Sequence, residues 1–233
     1  MTAIEGSVAL VTGGRRGIGK AFVEELLARG AKKVYATARE PGPSHDERVE
    51  VLALDVTDDT SVAALAERAR DVDTVFNNAG VLYRAPLLTS DITQVKEMFD
   101  TNVFGPLRIA QAFAPVLADN GGGVLVDMHS LLSWSAGGGG YGASKAALWS
   151  LTNSLRIELA AQNTQVVGVH LGFADTDMVA AIPVEKISAA DVARIVLDGV
   201  ERGDSEVLVD DVTRKIKSVL SGPVEGLSIG IGR

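Results

Sequence analysis

The chain has 233 residues, enough for one large α/β domain with a substantial core. It is 46% hydrophobic and 22% charged, an ordinary globular balance, and its net charge of −8 argues against general nucleic-acid binding. Cysteine is absent, which excludes a disulfide scaffold, thiol catalysis and cysteine-ligated zinc. No basic-then-apolar leader opens the chain and no apolar run approaches membrane-spanning length, so a cytoplasmic protein is expected.

Strand-like and helix-like segments then alternate along the chain. Val8-Ala9-Leu10-Val11 is a short apolar run, the mark of a buried strand. Residues 17–29 read as a helix closed by Gly30. The second and third strands fall at 34–37 and 49–54. The segment between them holds Pro41, Gly42 and Pro43, so any helix there is a turn or two at most. A helix over 57–70 leads to a fourth strand at 74–76. One long helix is predicted over 92–118, bent at Pro106 and Pro115. The fifth strand is 124–128, followed by a helix over 141–161 and a sixth strand at 166–170. Ser188 caps a helix reaching Val200, 207–209 is a seventh strand, and 211–220 is the last helix.

This alternation implies a single α/β domain over 1–221, with a seven-stranded parallel sheet covered by helices on both faces. Residues 222–233 form a Gly-rich tail, either disordered or docked on a neighbouring subunit.

Between the first strand and first helix stands Thr12-Gly13-Gly14-Arg15-Arg16-Gly17-Ile18-Gly19. Glycines there permit a tight turn and close backbone approach, and a helix N-terminus suits a pyrophosphate. Where the second strand usually ends in an acid for NAD, this one ends Thr37-Ala38-Arg39. Arg15, Arg16 and Arg39 therefore cluster around the expected adenosine ribose of an acidic protein. Arginine binds phosphate by paired charge-assisted hydrogen bonds, so the site is predicted to take the 2′-phosphate of NADP(H). Asp55 and Val56 end the third strand beside the expected adenine. Asp55 either accepts from the adenine amino group or caps the following turn.

Tyr141 and Lys145 stand four apart at the head of a predicted helix, on one face. An ammonium beside a phenol favours the phenolate and is expected to lower the tyrosine pKa. A tyrosine so tuned exchanges a proton with a reacting oxygen. His129 adjoins Ser130, but strand alternation sends neighbouring side chains to opposite faces, so it is expected to point away. His45 and His170 have no ligand-spaced partners, and no metal site is predicted.

With these features in place, residues 5–200 resemble the short-chain dehydrogenase/reductase family. The resemblance rests on the glycine turn, Asn77-Asn78-Ala79-Gly80, Asn102-Val103-Phe104-Gly105, Ser130, and Tyr141 with Lys145. It implies a doubly wound Rossmann sheet, a nicotinamide cofactor and hydride transfer to or from a carbonyl or alcohol carbon. It also implies that Tyr141 is the acid/base and that Lys145 holds the nicotinamide ribose. Ser130 would bind the substrate oxygen, and Asn102 would support a water-linked path to Lys145. Asn78, Ala79 and Gly80 would line the cofactor, with Gly172 and Thr176 near the nicotinamide.

Four departures stand out. Ser130 is eleven residues before Tyr141, a short spacing that leaves Ser133 and Ser135 as competitors. Leu171-Gly172 replaces the family's Pro-Gly, and the lid before Ser188 is short. Val209-Asp210-Asp211-Val212 replaces the usual C-terminal signature. Two classes of function fit: an NADP(H)-dependent carbonyl reductase or alcohol dehydrogenase, or a catalytically idle NADP(H)-binding sensor or scaffold. Retention of Tyr141, Lys145, Asn102 and the serine favours the enzyme. The length leaves no room for the larger substrate domain of epimerase and dehydratase relatives. Val81, Leu82, Leu131, Leu132, Trp134, Phe173 and Met178 are pocket candidates for an apolar small molecule. A homodimer or homotetramer is expected, with Trp149 either at its interface or in the core.

Overall fold

The computed structural model describes residues 3–228. Its strands are β1 (Val8–Val11), β2 (Lys33–Ala38), β3 (Val49–Ala53), β4 (Thr74–Asn77), β5 (Gly123–Met128), β6 (Thr164–His170) and β7 (Glu206–Leu208). They form one parallel sheet in the order β3-β2-β1-β4-β5-β6-β7.

Alternation along each strand sends side chains to two separate cores. Ala9 and Val11 join Phe22 and Leu26 of α1 (Gly17–Ala28) and Val192 and Val196 of α6 (Ala189–Arg202). Val8 and Leu10 join Val62 and Leu65 of α2 (Asp59–Arg68) and Ile109 and Phe113 of α4 (Gly105–Asp119). The sheet is thus covered on both faces, the doubly wound arrangement expected. The chain runs outward from β1 to β3 and returns to β4, which opens a crevice at the carboxyl ends of β1 and β4.

Residues 39–48 connect β2 to β3 without any helix, within the turn or two that was the most expected there. Three helices differ from expectation. The long helix is interrupted: α3 (Ile92–Phe99) ends in a π-helical turn, Asp100–Phe104, before α4 begins. Apolar periodicity is nearly blind to such a turn, which shifts the register by about one residue. α5 (Gly139–Glu158) starts two residues before Tyr141, and α7 (Asp211–Ser218) ends before Leu220. Of the Gly-rich tail, 229–233 lie outside the described residues. The preceding part makes a 3₁₀ turn, Val224–Leu227, and Leu227 O accepts the Ala136 N–H at 3.0 Å. That part docks on its own chain.

Candidate active site

The crevice is built from the backbone outward. Thr12, just past β1, donates its N–H and hydroxyl to Phe76 O at 3.0 and 3.2 Å. Its Oγ1 accepts the N–H groups of Asn78 and Ala79, each at 3.0 Å. Asn78 Nδ2 returns a bond to Thr12 O at 2.9 Å. These bonds fix Asn78-Ala79-Gly80 beneath the glycine turn.

Gly19 shows why that turn needs glycine. A Cβ there would overlap Gly13 O and stand 2.6 Å from Asn78 Nδ2. The loop after β6 reaches the same turn, since a Cβ on Gly17 would lie 3.2 Å from Thr176 Cγ2. Gly13, Gly17, Ile18, Gly19, Asn78, Ala79, Gly80 and Thr176 are therefore gathered at one crevice.

The start of α1 is left open. Arg16 is its N-cap and makes no side-chain capping bond, whereas Asp58, Asp91, Ser188 and Asp210 cap α2, α3, α6 and α7. The first N–H groups of a helix have no intrahelical acceptor and favour an anion. Arg15, Arg16 and Arg39 are exposed. Among the described residues, none of the three forms an ion pair or side-chain hydrogen bond. Thr37 is buried with an unpartnered hydroxyl, while its carbonyl accepts the Gly14 N–H at 3.0 Å. The residues present thus fit a dinucleotide carrying an extra phosphate.

At Asp55 the structure shows the turn cap. Its Oδ1 accepts from Thr57 N and Oγ1 at 2.9 and 2.7 Å, bonds that lower its pKa, helped by Arg39. Val56 is buried against Gly105. The Gly172 N–H is committed to Asp210 Oδ2 at 2.6 Å, so two of the sequence departures meet in space.

The chemical end lies where β5 meets α5. Ser130 is buried, its Oγ accepts the Leu132 N–H at 3.2 Å, and it hydrogen-bonds Tyr141. The Ser133 and Ser135 hydroxyls are buried without partners. Lys145 is buried, and its Nζ donates to Met128 O at 2.6 Å. Asn102 sits in the π turn. Its Nδ2 donates to Val81 O and Ser144 Oγ at 2.9 and 3.1 Å, and its Oδ1 accepts the Val81 N–H at 2.9 Å. A Cβ on Gly80 would lie 3.2 Å from Asn102 Oδ1 and 3.9 Å from Lys145 Nζ.

The expected tuning of Tyr141 is reversed. Burial pushes its phenol up to about 12, and the Ser130 hydrogen bond only partly opposes this. Lys145 does not pull it down, because Nζ is drawn to the Met128 carbonyl and stands 5.8 Å from the ring centroid. Burial also lowers Lys145 to about 8, against an upward pull from Asp127.

On the substrate side, Leu131 is a core residue, and Trp134 is largely buried but lines, with Leu132, a cleft closed by Val224 and Leu227. Val81, Leu82, Leu132 and Phe173 are half-buried, and Met178 is exposed. The short lid is tied at its base, where Ile187 N donates to Phe173 O at 2.9 Å and Asp175 N to Ile187 O at 2.8 Å.

One cluster is invisible to sequence reasoning. His129 Nδ1 lies 3.0 Å from His170 Nε2, and His129 Nε2 lies 2.8 Å from Thr152 Oγ1. Thr152 Oγ1 is 2.7 Å from Asp127 Oδ2. The only available signal was the β5–β6 register, which pairs Met128 with Val169 and so sets His129 beside His170.

Fold and crevice together define an NAD(P)-dependent oxidoreductase. The family model for short chain dehydrogenases matches residues 7–186. Short-chain dehydrogenase virD of Hypocrea virens is 36% identical over 183 residues, covering 73% of this chain and 62% of that protein. The chain thus spans less than two thirds of that relative. The 3-oxoacyl-(acyl-carrier-protein) reductase FabG of Salmonella typhimurium is 32% identical over 191 residues, 77% of this chain and 78% of its own. A short chain dehydrogenase from Burkholderia cenocepacia, solved in complex with NADP, is 36% identical with a TM-score of 0.91 over 97% of both chains. The chain belongs to the short-chain dehydrogenase family. No helix among the described residues is long and apolar enough to cross a membrane.

Proposed function

We propose that the protein is an NADP(H)-dependent carbonyl reductase or alcohol dehydrogenase acting on a small apolar compound. The observation that carries this reading is the placement of Asn102 and Lys145 beside Gly80, with Tyr141 next to Ser130 and its ring 5.8 Å from Lys145 Nζ. Gly13, Gly17, Ile18 and Gly19 would hold the pyrophosphate. Arg15, Arg16 and Arg39 would hold the 2′-phosphate, a choice supported by their lack of partners and by the NADP complex of the Burkholderia relative. Asn78, Ala79, Gly80 and Lys145 would hold the nicotinamide ribose, and Thr176 the carboxamide. Bound there, the nicotinamide supplies or takes up a hydride.

Tyr141 then gives a proton to the carbonyl oxygen in reduction and takes it back from the alcohol in oxidation. Burial keeps the phenol protonated well above neutral pH, which suits the donor role. Ser130 orients the substrate oxygen beside that proton. Asn102, braced on Val81 and Ser144, holds the π turn against Gly80 and supports proton resupply toward Lys145.

The half-buried Val81, Leu82, Leu132 and Phe173 favour an apolar substrate. The protein is further proposed to be a homodimer or homotetramer. Exposed Phe104, at the start of α4, and Ile157, in α5, supply apolar contact there, while Trp149 packs edge-on to Trp134 of its own chain at 5.8 Å. Sedimentation at micromolar concentration should show two or four copies; a 24.3 kDa species alone would contradict this.

The test of activity is loss of NADPH absorbance across ketones, aldehydes and quinones. Tyr141→Phe should lower turnover roughly 10²–10⁴-fold while NADPH still binds. Turnover within a few-fold of the parent would end the assignment.

A further inference from the structure

Behind Lys145 runs a chain of buried polar side chains that the proposed reaction does not use. Asp127, Thr152 and His170 are fully buried, and His129 is 2% exposed. Asn77 Nδ2 donates to Asp127 Oδ1 at 2.9 Å, and Asp127 Oδ2 lies 2.7 Å from Thr152 Oγ1. Thr152 Oγ1 lies 2.8 Å from His129 Nε2, and His129 Nδ1 lies 3.0 Å from His170 Nε2. His170 Nδ1 faces Ser130 O at 3.1 Å. The fold makes room for this chain: a Cβ on Gly168 would stand 2.8 Å from His129 Cε1.

Proton positions follow from the carbonyl at the far end, which only accepts. His170 must therefore carry a proton on Nδ1. If His170 is neutral, its Nε2 accepts, so His129 donates from Nδ1 and its own Nε2 accepts. Thr152 then donates to His129, and Asp127 must be the protonated donor to Thr152. Every bond is satisfied in this arrangement and no charge is buried. The other charge-balanced limit moves one proton along. The Asp127 proton passes to Thr152 Oγ1, and the Thr152 proton passes to His129 Nε2. The Nδ1 proton of His129 moves on to His170 Nε2. That leaves a carboxylate at Asp127 and an imidazolium in the histidine pair. Thr152 Oγ1 also lies 2.9 Å from Leu148 O. Its proton turns there only if one imidazole is already cationic.

We propose that Asp127, Thr152, His129 and His170 form a buried proton wire behind the active site, and that the position of its one mobile proton sets the charge facing Lys145. These are positioning residues, acting on the reaction through Lys145, so the functional half of the inference rests on the proposed activity. The surroundings favour the neutral limit. Burial raises Asp127, while Thr152, Asn77, Lys145 and Arg156 pull it down. Burial lowers His129, reinforced by His170, Lys145 and Arg156. Burial lowers His170 to about 3, with Lys217 and Lys145 adding to this and the Ser130 backbone opposing it. The far end is polarised from β7 and α7: His170 Nε2 lies 3.7 Å from Glu206 Oε1, and Glu206 pairs with Lys217. Trp134 stacks on His170 at 3.7 Å and screens it.

Two measurements test the wire. The chain has three histidines, so ¹⁵N-histidine NMR of the whole protein resolves each tautomer. His129 and His170 should both be neutral at pH 7 and protonated on Nδ1. A neutral His129 protonated on Nε2 beside a neutral His170 is a state of neither limit and would overturn the wire, and this arm needs no activity, so it fails or holds independently of the proposed reaction. The second measurement is the Lys145 titration, followed by NMR and by the pH profile of turnover. Asp127→Asn keeps the shape and a donor to Thr152 but cannot ionise, so it fixes the charge of the neutral limit, and Lys145 should titrate as in the parent. A fall of about one unit or more, the low end of what a nearby opposite charge supplies, would place the mobile proton on the histidine pair in the parent and overturn the neutral limit. Should Asp127→Asn not fold, the histidine tautomers of the parent decide.

Discussion

The two ends of the sheet treat charge in opposite ways. Around the ends of β1 and β2, Arg15, Arg16 and Arg39 are exposed and form no ion pair or side-chain hydrogen bond among the described residues, although Arg39 is near enough to Asp55 to lower its pKa. Around β5 and β6, Asp127, His129, Lys145 and His170 are buried and each is hydrogen-bonded. Exposure alone does not leave an arginine idle, since exposed Arg68 takes Glu50 and exposed Arg214 takes Asp211. A group without a partner keeps its hydrogen bonds for a ligand. A buried and partnered group has a fixed position and an altered acidity. The proposed recognition and the proposed proton handling therefore occupy separate electrostatic environments, and separate substitutions should disturb them one at a time.

The largest effect is expected on the buried side. Ser130→Ala should lower turnover roughly 10²–10³-fold, the range for losing one oriented donor at a reacting oxygen. Ser133→Ala should have little effect, because its hydroxyl bonds nothing. Steady-state kinetics of the two variants decide between them, and a worse lesion at Ser133 would shift the site by three residues.

A smaller effect is expected on the exposed side. One hydrogen bond involving a charged group contributes about 1.5–3 kcal/mol, or roughly 10- to 100-fold in Kd. Arg39→Ala should weaken NADPH by about that factor and leave NADH nearly unchanged. Raised salt should erode the parent's preference. Equal weakening of both cofactors, measured by titration calorimetry, would make Arg39 a structural residue.

A further effect sharpens the comparison from the side of stability. Lys145 titrates near 8 in the fold against 10.5 in the open chain. Between those values the unfolded chain holds more protons, so stability rises with pH across the window and the cost is fully present below it. At about 1.36 kcal/mol per unit, the rise amounts to roughly 3 kcal/mol. Urea midpoints should climb from pH 8 to pH 10 in the parent and stay flat in Lys145→Met. A climb that persists in the variant would assign the effect to another group.

Local chemistry made much of this legible. The apolar run 8–11, the Gly13–Gly19 turn and the Ser188 cap each carry their own short-range signal, and the structure places a strand, a tight turn and a helix start there. The π turn at Asn102 left no such signal, because one added residue barely disturbs an apolar stripe. The acidity of Tyr141 was misjudged from spacing alone. A four-residue interval fixes a shared face, but not whether burial outweighs a neighbouring ammonium that points at Met128 O instead. His129 and His170 are 41 residues apart in sequence and meet only once β5 and β6 pair. The stacking of Trp134 on His170 was equally out of reach.

Asp210 divides its carboxylate between two distant parts of the chain. One oxygen caps α7 at the Thr213 N–H, 2.8 Å away, and the other holds the Gly172 N–H. The last helix and the loop that carries Thr176 are thereby joined through a single side chain. Their amide protons should exchange with solvent as one cooperative unit. Any event that unravels the C-terminal helix, a proteolytic nick or a shortened chain, would then be felt at the mouth of the cofactor crevice rather than at the molecule's edge.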